Sequence, residues 1–318
     1  MKKRKIVSTL LALLLLASLP VSALAAEWDI SKGDITVNAG SGGQTVTQGS
    51  QVDVPDSAPV ITGSSTENTL TINAEKDQTA NVTLSDVNID VSSEGKAAVT
   101  TTGEGNVSIE LDGDNTLKSA TNHAGLEKNN GGSLTIADEN KNGKLTAKGG
   151  DYGAGIGVGW RGSGSDITIS GGEVNATGGV NGAGIGGGCY GYGNNITVSG
   201  DAKLKVQGGV EDNIDGAGAG IGNGGSSDER AIPVTGAEVE PDTSGLTTNG
   251  SIEYYAPGAD MEKDKPEKTT VGTLSPQEKP IEPIEPAEPE QPEAERGMDA
   301  PLYRVTDKDG RDIAYTAE

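Results

Sequence analysis

The sequence predicts an all-β protein, a parallel β-helix in which every coil supplies three short strands, and three observations carry that prediction. The chain has 318 residues, of which 49 are glycine, 33% are hydrophobic and none is phenylalanine, so it lacks the large side chains that fill a thick globular core. From Trp28 to about Gly225 it consists of short β-branched runs separated by Gly, Asn, Asp and Ser, without a sustained amphipathic helical pattern. Finally, Gly153-Ala-Gly-Ile-Gly157 returns as Gly182-Ala-Gly-Ile-Gly186, with a further copy at Gly218-Ala-Gly-Ile-Gly222 and a fainter one at Ala124-Gly-Leu126. Three strands within a period of roughly 25 to 30 residues is the content of one solenoid coil stacked on the next. A β-sandwich is the competing architecture, and near-exact recurrence of a three-strand unit disfavours it.

Taken in order, the chain opens with a signal-peptide pattern over residues 1–26. Lys2, Lys3, Arg4 and Lys5 precede an apolar run from Ile6 to Leu19, and Ala23-Leu24-Ala25 is a small-x-small cleavage site. The apolar run is shorter than the ~20 residues of a spanning helix, so a secreted or cell-surface protein with no membrane insertion after cleavage is expected. Removal of the four positive charges takes the net charge from -23 to -27.

Residues 27–230 are the predicted solenoid. Seven similar strands recur at Asp34-Ile-Thr-Val37, Thr69-Leu-Thr-Ile72, Asn81-Val-Thr-Leu84, Asn106-Val-Ser-Ile109, Ser133-Leu-Thr-Ile136, Asp166-Ile-Thr-Ile169 and Asn195-Ile-Thr-Val198. A second set runs from Lys144, Glu173 and Lys203, each ending in Gly-Gly. Twenty-eight of the glycines lie within 149–225, which places the tightest packing there. Residues 231–256 read as a cap or trailing β segment, and 257–300 as an acidic Pro/Glu linker of extended polyproline character. Residues 301–318 contain two strand patterns around Asp309-Gly310, read as a hairpin rather than a calcium loop because no downstream Glu completes the loop.

From Glu110-Leu-Asp-Gly-Asp-Asn-Thr-Leu117 through Ala124-Gly-Leu126 to the Gly-Ala-Gly-Ile-Gly copies, within residues 60 to 225, the chain resembles secreted adhesin-like proteins of Firmicutes. It is similar to the carbohydrate-binding domain family of cellulolytic clostridia. That resemblance implies a non-enzymatic, right-handed parallel β-helix associated with acidic plant polysaccharides and calcium.

The residues themselves narrow the chemistry. A pI near 4.3 opposes nucleic acid binding, which needs clustered Lys and Arg. One histidine, His123, and one cysteine, Cys189, leave little material for a zinc site or a Cys/His pair. Both G-x-G-x-x-G matches, at Gly157 and Gly186, lack the strand–turn–helix context of a nucleotide site. Two candidate sites remain. Trp160 and Arg161 follow one glycine loop, and Tyr190 and Tyr192 follow the corresponding loop of the next coil. Flat rings there suit the CH faces of polysaccharide rings such as polygalacturonate or a cellulose-like chain, with Arg161 available to a uronate carboxylate. Asp86, Asp112 and Asp138 recur at equal intervals, each after a strand run, the pattern expected of a calcium-binding acidic edge (Ca2+), or of aspartates that close turns.

A β-helical polysaccharide lyase or hydrolase is the rival function. A lyase needs a base facing a calcium cluster, yet Arg161 is the only arginine between Glu27 and Gly225. A hydrolase needs two carboxyl groups across the scissile bond, and Asp112 with Asp114 is the only obvious close pair. An inert surface spacer is the third reading, which the Pro/Glu segment suits equally well.

Overall fold

The computed structural model describes residues 25–228, 230 and 232–273 and the strands Arg304–Thr306 and Asp312–Ala314. Residues 1–24, within the expected signal peptide, and the Pro/Glu stretch of 274–300 lie outside the described residues. The chain divides into two units, Met1–Ser275 and Pro276–Glu318.

The first unit is a β-solenoid of about six turns, built almost wholly from parallel strands on three sheets. Sheet A runs through Glu27–Asp29, Val60–Thr62, Thr79–Ser85, Asn106–Asp112, Leu134–Ala137, Ile167–Ile169 and Ile196–Val198. Sheet B stacks Ile35–Gly40, Leu70–Ala74, Val99–Gly103, Leu126–Lys128, Ile156–Gly157, Ile185–Gly186 and Ile221–Gly222. Sheet C stacks Ser64–Ser65, Asn88–Asp90, Asp114–Lys118, Lys144–Lys148, Glu173–Thr177, Lys203–Gln207 and Ser251–Tyr255. From Leu70 onward each coil passes from B to A to C.

Alternation within each strand decides which side chains enter the core. In Leu70–Ala74, buried Leu70, Ile72 and Ala74 alternate with half-buried Thr71 and Asn73. Because coils repeat in register, equivalent inward residues form ladders: Ile35, Leu70, Val99, Leu126, Ile156, Ile185 and Ile221 lie on successive strands of sheet B, all with 0% exposure. Sheet A contributes Val82, Ile109, Ile136, Ile169 and Val198 in the same manner. Such a core is one side chain deep from each face, and aliphatic residues fill it without phenylalanine.

The seven similar strand runs divide between two sheets. Those at Asp34 and Thr69 lie on sheet B and the other five on sheet A, because period-two alternation is the same on either face. Both ends are covered by antiparallel strands. At the start of sheet B, Ile35–Gly40 pairs with Gly43–Gln48, which pairs with Gln51–Pro55. At the far end of sheet C, Lys268–Val271 folds back on Ser251–Tyr255. The ordered cap therefore continues past Ala256, where the sequence set the start of the linker. Lys268-Thr-Thr-Val271 has the β-branched composition of a strand, and Lys268 places its ammonium 4.9 Å from the Tyr254 ring. These terminal strands cover edges that parallel stacking would leave open.

The glycines of 149–225 serve close backbone approach more than left-handed φ. A Cβ on Gly179 would lie 1.8 Å from the Gly150 carbonyl oxygen, and one on Gly182 would lie 1.9 Å from that of Gly153. Several left-handed corners carry side chains instead: Asn122, Tyr152 and Asn181 in one series, Arg161 and Tyr190 in another.

In the second unit, Arg304–Thr306 pairs antiparallel with Asp312–Ala314, flanking the Asp309-Gly310 turn signal. Among the described residues no helix is long and apolar enough to cross a membrane.

Candidate functional site

The loops 158–166 and 187–195 connect sheet B to sheet A on consecutive coils, and backbone hydrogen bonds stack one on the other. The Arg161 amide donates to the Cys189 carbonyl at 2.8 Å, and the Tyr190 amide to Gly225 at 2.9 Å. A parallel bridge between Gly164 and Gly193 fixes the register, which sets Arg161 against Tyr190 and Ser163 against Tyr192. Arg161 and Tyr190 occupy left-handed corners, with φ of 61° and 62°.

This register brings Trp160, Arg161, Tyr190 and Tyr192 onto one corner of the solenoid. The Arg161 guanidinium carbon lies 4.5 Å from the Trp160 ring centroid and 5.7 Å from that of Tyr190, within cation–π range of both. The rings stay open to solvent: Trp160 is 48% exposed, Tyr190 38% and Tyr192 65%. Tyr190 is anchored from below. Its hydroxyl donates to Asp215 Oδ1 at 2.6 Å and lies 2.6 Å from Ser227 Oγ, and the bond to Asp215 raises the phenol's pKa. The other Asp215 oxygen accepts from Cys189 Sγ at 3.7 Å. Burial and this carboxylate push the Cys189 thiol up to about 12, which leaves it protonated and unreactive. Together these residues form a partly rigid aromatic platform with one cation lying across it.

One coil before the platform lies a buried polar cluster that the sequence did not announce. His123 Nδ1 is 2.9 Å from Glu127 Oε2, and Glu127 also accepts from the Ala124 amide at 3.0 Å and from Asn129 Nδ2 at 2.8 Å. Lys128 Nζ donates to the Asn130 carbonyl at 3.0 Å, and burial pushes its ammonium pKa down. All three residues of Leu126–Lys128 are buried, although alternation would expose Glu127. The covering element is the Trp160 loop: the Trp160 amide donates to the Asn122 carbonyl, and a Cβ on Gly159 would lie 3.2 Å from Glu127 Oε2. The available signal was positional, since Glu127 stands in the ladder where later coils carry Gly157 and Gly186.

The three aspartates do not share a ladder. Thr83, Glu110 and Ala137 align in sheet A, and that coil period is one position longer than the aspartate interval, so the acids slip by one position per coil. Asp112 faces Ser85, and Asp86 lies beside Gly113 instead. Each carboxylate is hydrogen-bonded, that of Asp138 within its own loop and those of Asp86 and Asp112 to residues of a neighbouring coil. Asp86 Oδ1 accepts from the Asp114 amide at 2.9 Å, and Asp138 Oδ1 from the amides of Asn142 and Gly143 at 3.1 and 3.0 Å. Bonds from Asn142, Ser85 and Asn140 hold the Asp112 carboxyl below the usual carboxylate range. Among the described residues no group of three or more His, Cys, Asp or Glu side chains is arranged to hold a metal ion.

Comparison with protein-family models, curated proteins and solved structures finds no match for this chain.

Proposed function

We propose that the protein is a secreted, non-catalytic polysaccharide-binding β-helix of the adhesin-like clostridial type, and that Trp160, Arg161, Tyr190 and Tyr192 form its glycan-contact platform. The observation that carries this reading is the guanidinium of Arg161 lying over Trp160 and Tyr190 while all three rings of the corner remain open. Exposed rings on a soluble surface lose free energy to water unless a partner covers them, and the CH face of a sugar suits them. Arg161 adds a fork for a uronate carboxylate, which favours acidic polysaccharides over neutral ones.

The non-catalytic reading is supported by the two buried carboxylates beside the platform. Glu127 already accepts three hydrogen bonds, and Asp215 is engaged by Tyr190 and Cys189. Calcium belongs to the proposal as an ion bridging the acidic polymer to Asp86, Asp112 or Asp138 singly, each coordinating through oxygen left free by its hydrogen bonds, rather than to one cage.

Affinity electrophoresis of the mature chain through gels containing polygalacturonate or soluble cellulose derivatives, with and without chelator, tests all of this. Retardation in at least one polymer, abolished in Trp160→Ala with Tyr192→Ala, is expected. Undiminished retardation of that variant would retire the platform, and release of reducing ends or unsaturated uronates would replace the binding reading with an enzymatic one.

A further inference from the structure

The first coil holds a buried carboxylate that the platform does not use. Asp56, directly after the strand Gln51–Pro55, is 1% exposed, against 6% for Glu127 and 7% for Asp215, the other buried acids. Its Oδ2 accepts from Trp28 Nε1 at 2.9 Å and from the Ala26 amide at 3.1 Å, and its Oδ1 from the Ala58 amide at 3.2 Å. Among the described residues no ion pair includes Asp56. A carboxylate taken out of water is compensated only in part by neutral donors, and a cation beside it completes the compensation.

The chain's own processing supplies that cation. Ala26 leads into Glu27–Asp29, the first strand of sheet A, and Ala25 and Ala26 are exposed at the mouth of the site. Directly before Ala26 stands Ala23-Leu24-Ala25, the small-x-small pattern after which an export peptidase cuts. Hydrolysis of the Ala25–Ala26 bond consumes one water. Ala25 leaves with a carboxylate, and the Ala26 nitrogen changes from an amide into an ammonium. An α-amino group titrates near about 8, so this one is charged at neutral pH. The contact from Ala26 N to Asp56 Oδ2 then becomes a charge-assisted hydrogen bond.

Two contacts fix the place of the cut. A cut after Ala26 would remove the nitrogen that meets Asp56 and also the Ala26 carbonyl, which accepts from the Val60 amide at 2.9 Å. A cut after Ala25 keeps both. Asp56 in turn is tied to the antiparallel cap. Its amide donates to the Gln44 carbonyl at 3.0 Å, and Gln44 Nε2 donates to the Asp56 carbonyl at 3.1 Å. The same Gln44 side chain reaches Asn81 on the third strand of sheet A, donating to its carbonyl at 2.9 Å and accepting from its amide at 2.8 Å.

We infer that export processing cuts between Ala25 and Ala26, and that the new ammonium docks on Asp56 and locks the first edge strand of the solenoid to its antiparallel cap. The mature chain then begins one residue before the boundary set by the sequence pattern over 1–26. The inference rests on the secreted reading above and not on the glycan. Removal of the leader thus does more than release the protein, since it creates the charge that completes the first coil.

Mass spectrometry of the protein exported by a bacterial host carrying all 318 residues should give Ala26 as the first residue. A first residue of Leu24 or Glu27 overturns the cut. Two chains, one starting at Ala26 and one with a single Gly added before it, then test the lock. The added Gly keeps the Ala26 N–H but moves the charge one residue away. It should lower the thermal midpoint by about 3 °C and shift the indole N–H resonance of Trp28. In Asp56→Asn the two starts should melt alike, whereas an Asp56 with a merely structural role would lower both midpoints and preserve their difference. If Asp56→Asn does not fold, the two starts with Asp56 intact decide alone. Equal midpoints and an unmoved Trp28 resonance overturn the lock while leaving the secreted reading in place. An exported chain that keeps its first 25 residues ends both.

Discussion

Between Ile61 and Leu145 the solenoid fills its interior with Leu, Ile and Val from all three sheets, and between Gly149 and Gly225 the same ladders continue while the glycine corners bring backbone against backbone. Sheet B records the change. Its strands are long at Leu70–Ala74 and Val99–Gly103 and shrink to a single residue pair at Ile156–Gly157, Ile185–Gly186 and Ile221–Gly222. Buried alanines stand two residues before these pairs, Ala154, Ala183 and Ala219, continuing a series begun by Ala97 and Ala124. The chain freed from the narrower wall emerges as the loops 158–166 and 187–195, and these carry the aromatic residues. Glycine-built coils therefore do two things at once: they pack tightly inside and present long, stacked loops outside.

That comparison is broken most severely by giving a glycine a side chain. Gly179→Val forces Cβ into the Gly150 carbonyl, a backbone atom that cannot rotate away, and should destabilise by about 4 kcal/mol in chemical denaturation. Leu111→Ala attacks the other half. Its side chain is fully buried, so a cavity costing about 3 kcal/mol is expected, with the coils before and after still in register. If the glycine change proved milder than the leucine change, close backbone packing would not be what holds the second half.

Acid should affect both halves alike and more gently. Hydrogen bonds from Ser92 and Lys118 lower the Asp90 carboxyl, Ser165 and Asn195 lower that of Asp166, and Lys141 and Thr247 lower that of Asp201. A carboxyl lowered in the folded state contributes stability above its unfolded value near 4 and loses it as pH falls through the folded value. Burial raises Glu110, which acts in the opposite direction, but it is one group against several. The thermal midpoint should therefore fall between about pH 4 and pH 2, with no comparable loss from pH 8 to pH 5. A midpoint flat to pH 2 would show that these turn bonds contribute nothing.

The repeat was the legible part of the sequence. The Gly-Ala-Gly-Ile-Gly copies mark sheet B, and the runs at Lys144, Glu173 and Lys203 mark sheet C, each aligned in the structure as the spacing implied. Antiparallel pairing at Gly43–Gln48 and Gln51–Pro55 was not legible, because a strand's alternation does not reveal its partner's direction. The aspartate series was misleading for a related reason: a period judged from the acids differed by a single position from the period of the inward ladder, and a shift of that size reverses a strand's faces. Exposure of Trp160, Tyr190 and Tyr192 could be read from their glycine loops, but the covering of Glu127 by the loop of the next coil could not, since it depends on contact between coils.

The platform is tested most directly by the fluorescence of Trp160. The only other tryptophan, Trp28, is buried, with its Nε1 donating to Asp56 Oδ2 at 2.9 Å, so an aqueous quencher such as acrylamide reports on Trp160 alone. Polygalacturonate added to saturation should protect Trp160 from acrylamide and shift its emission. Binding demonstrated by calorimetry with quenching unchanged would contradict the assignment of this corner as the glycan-contact surface.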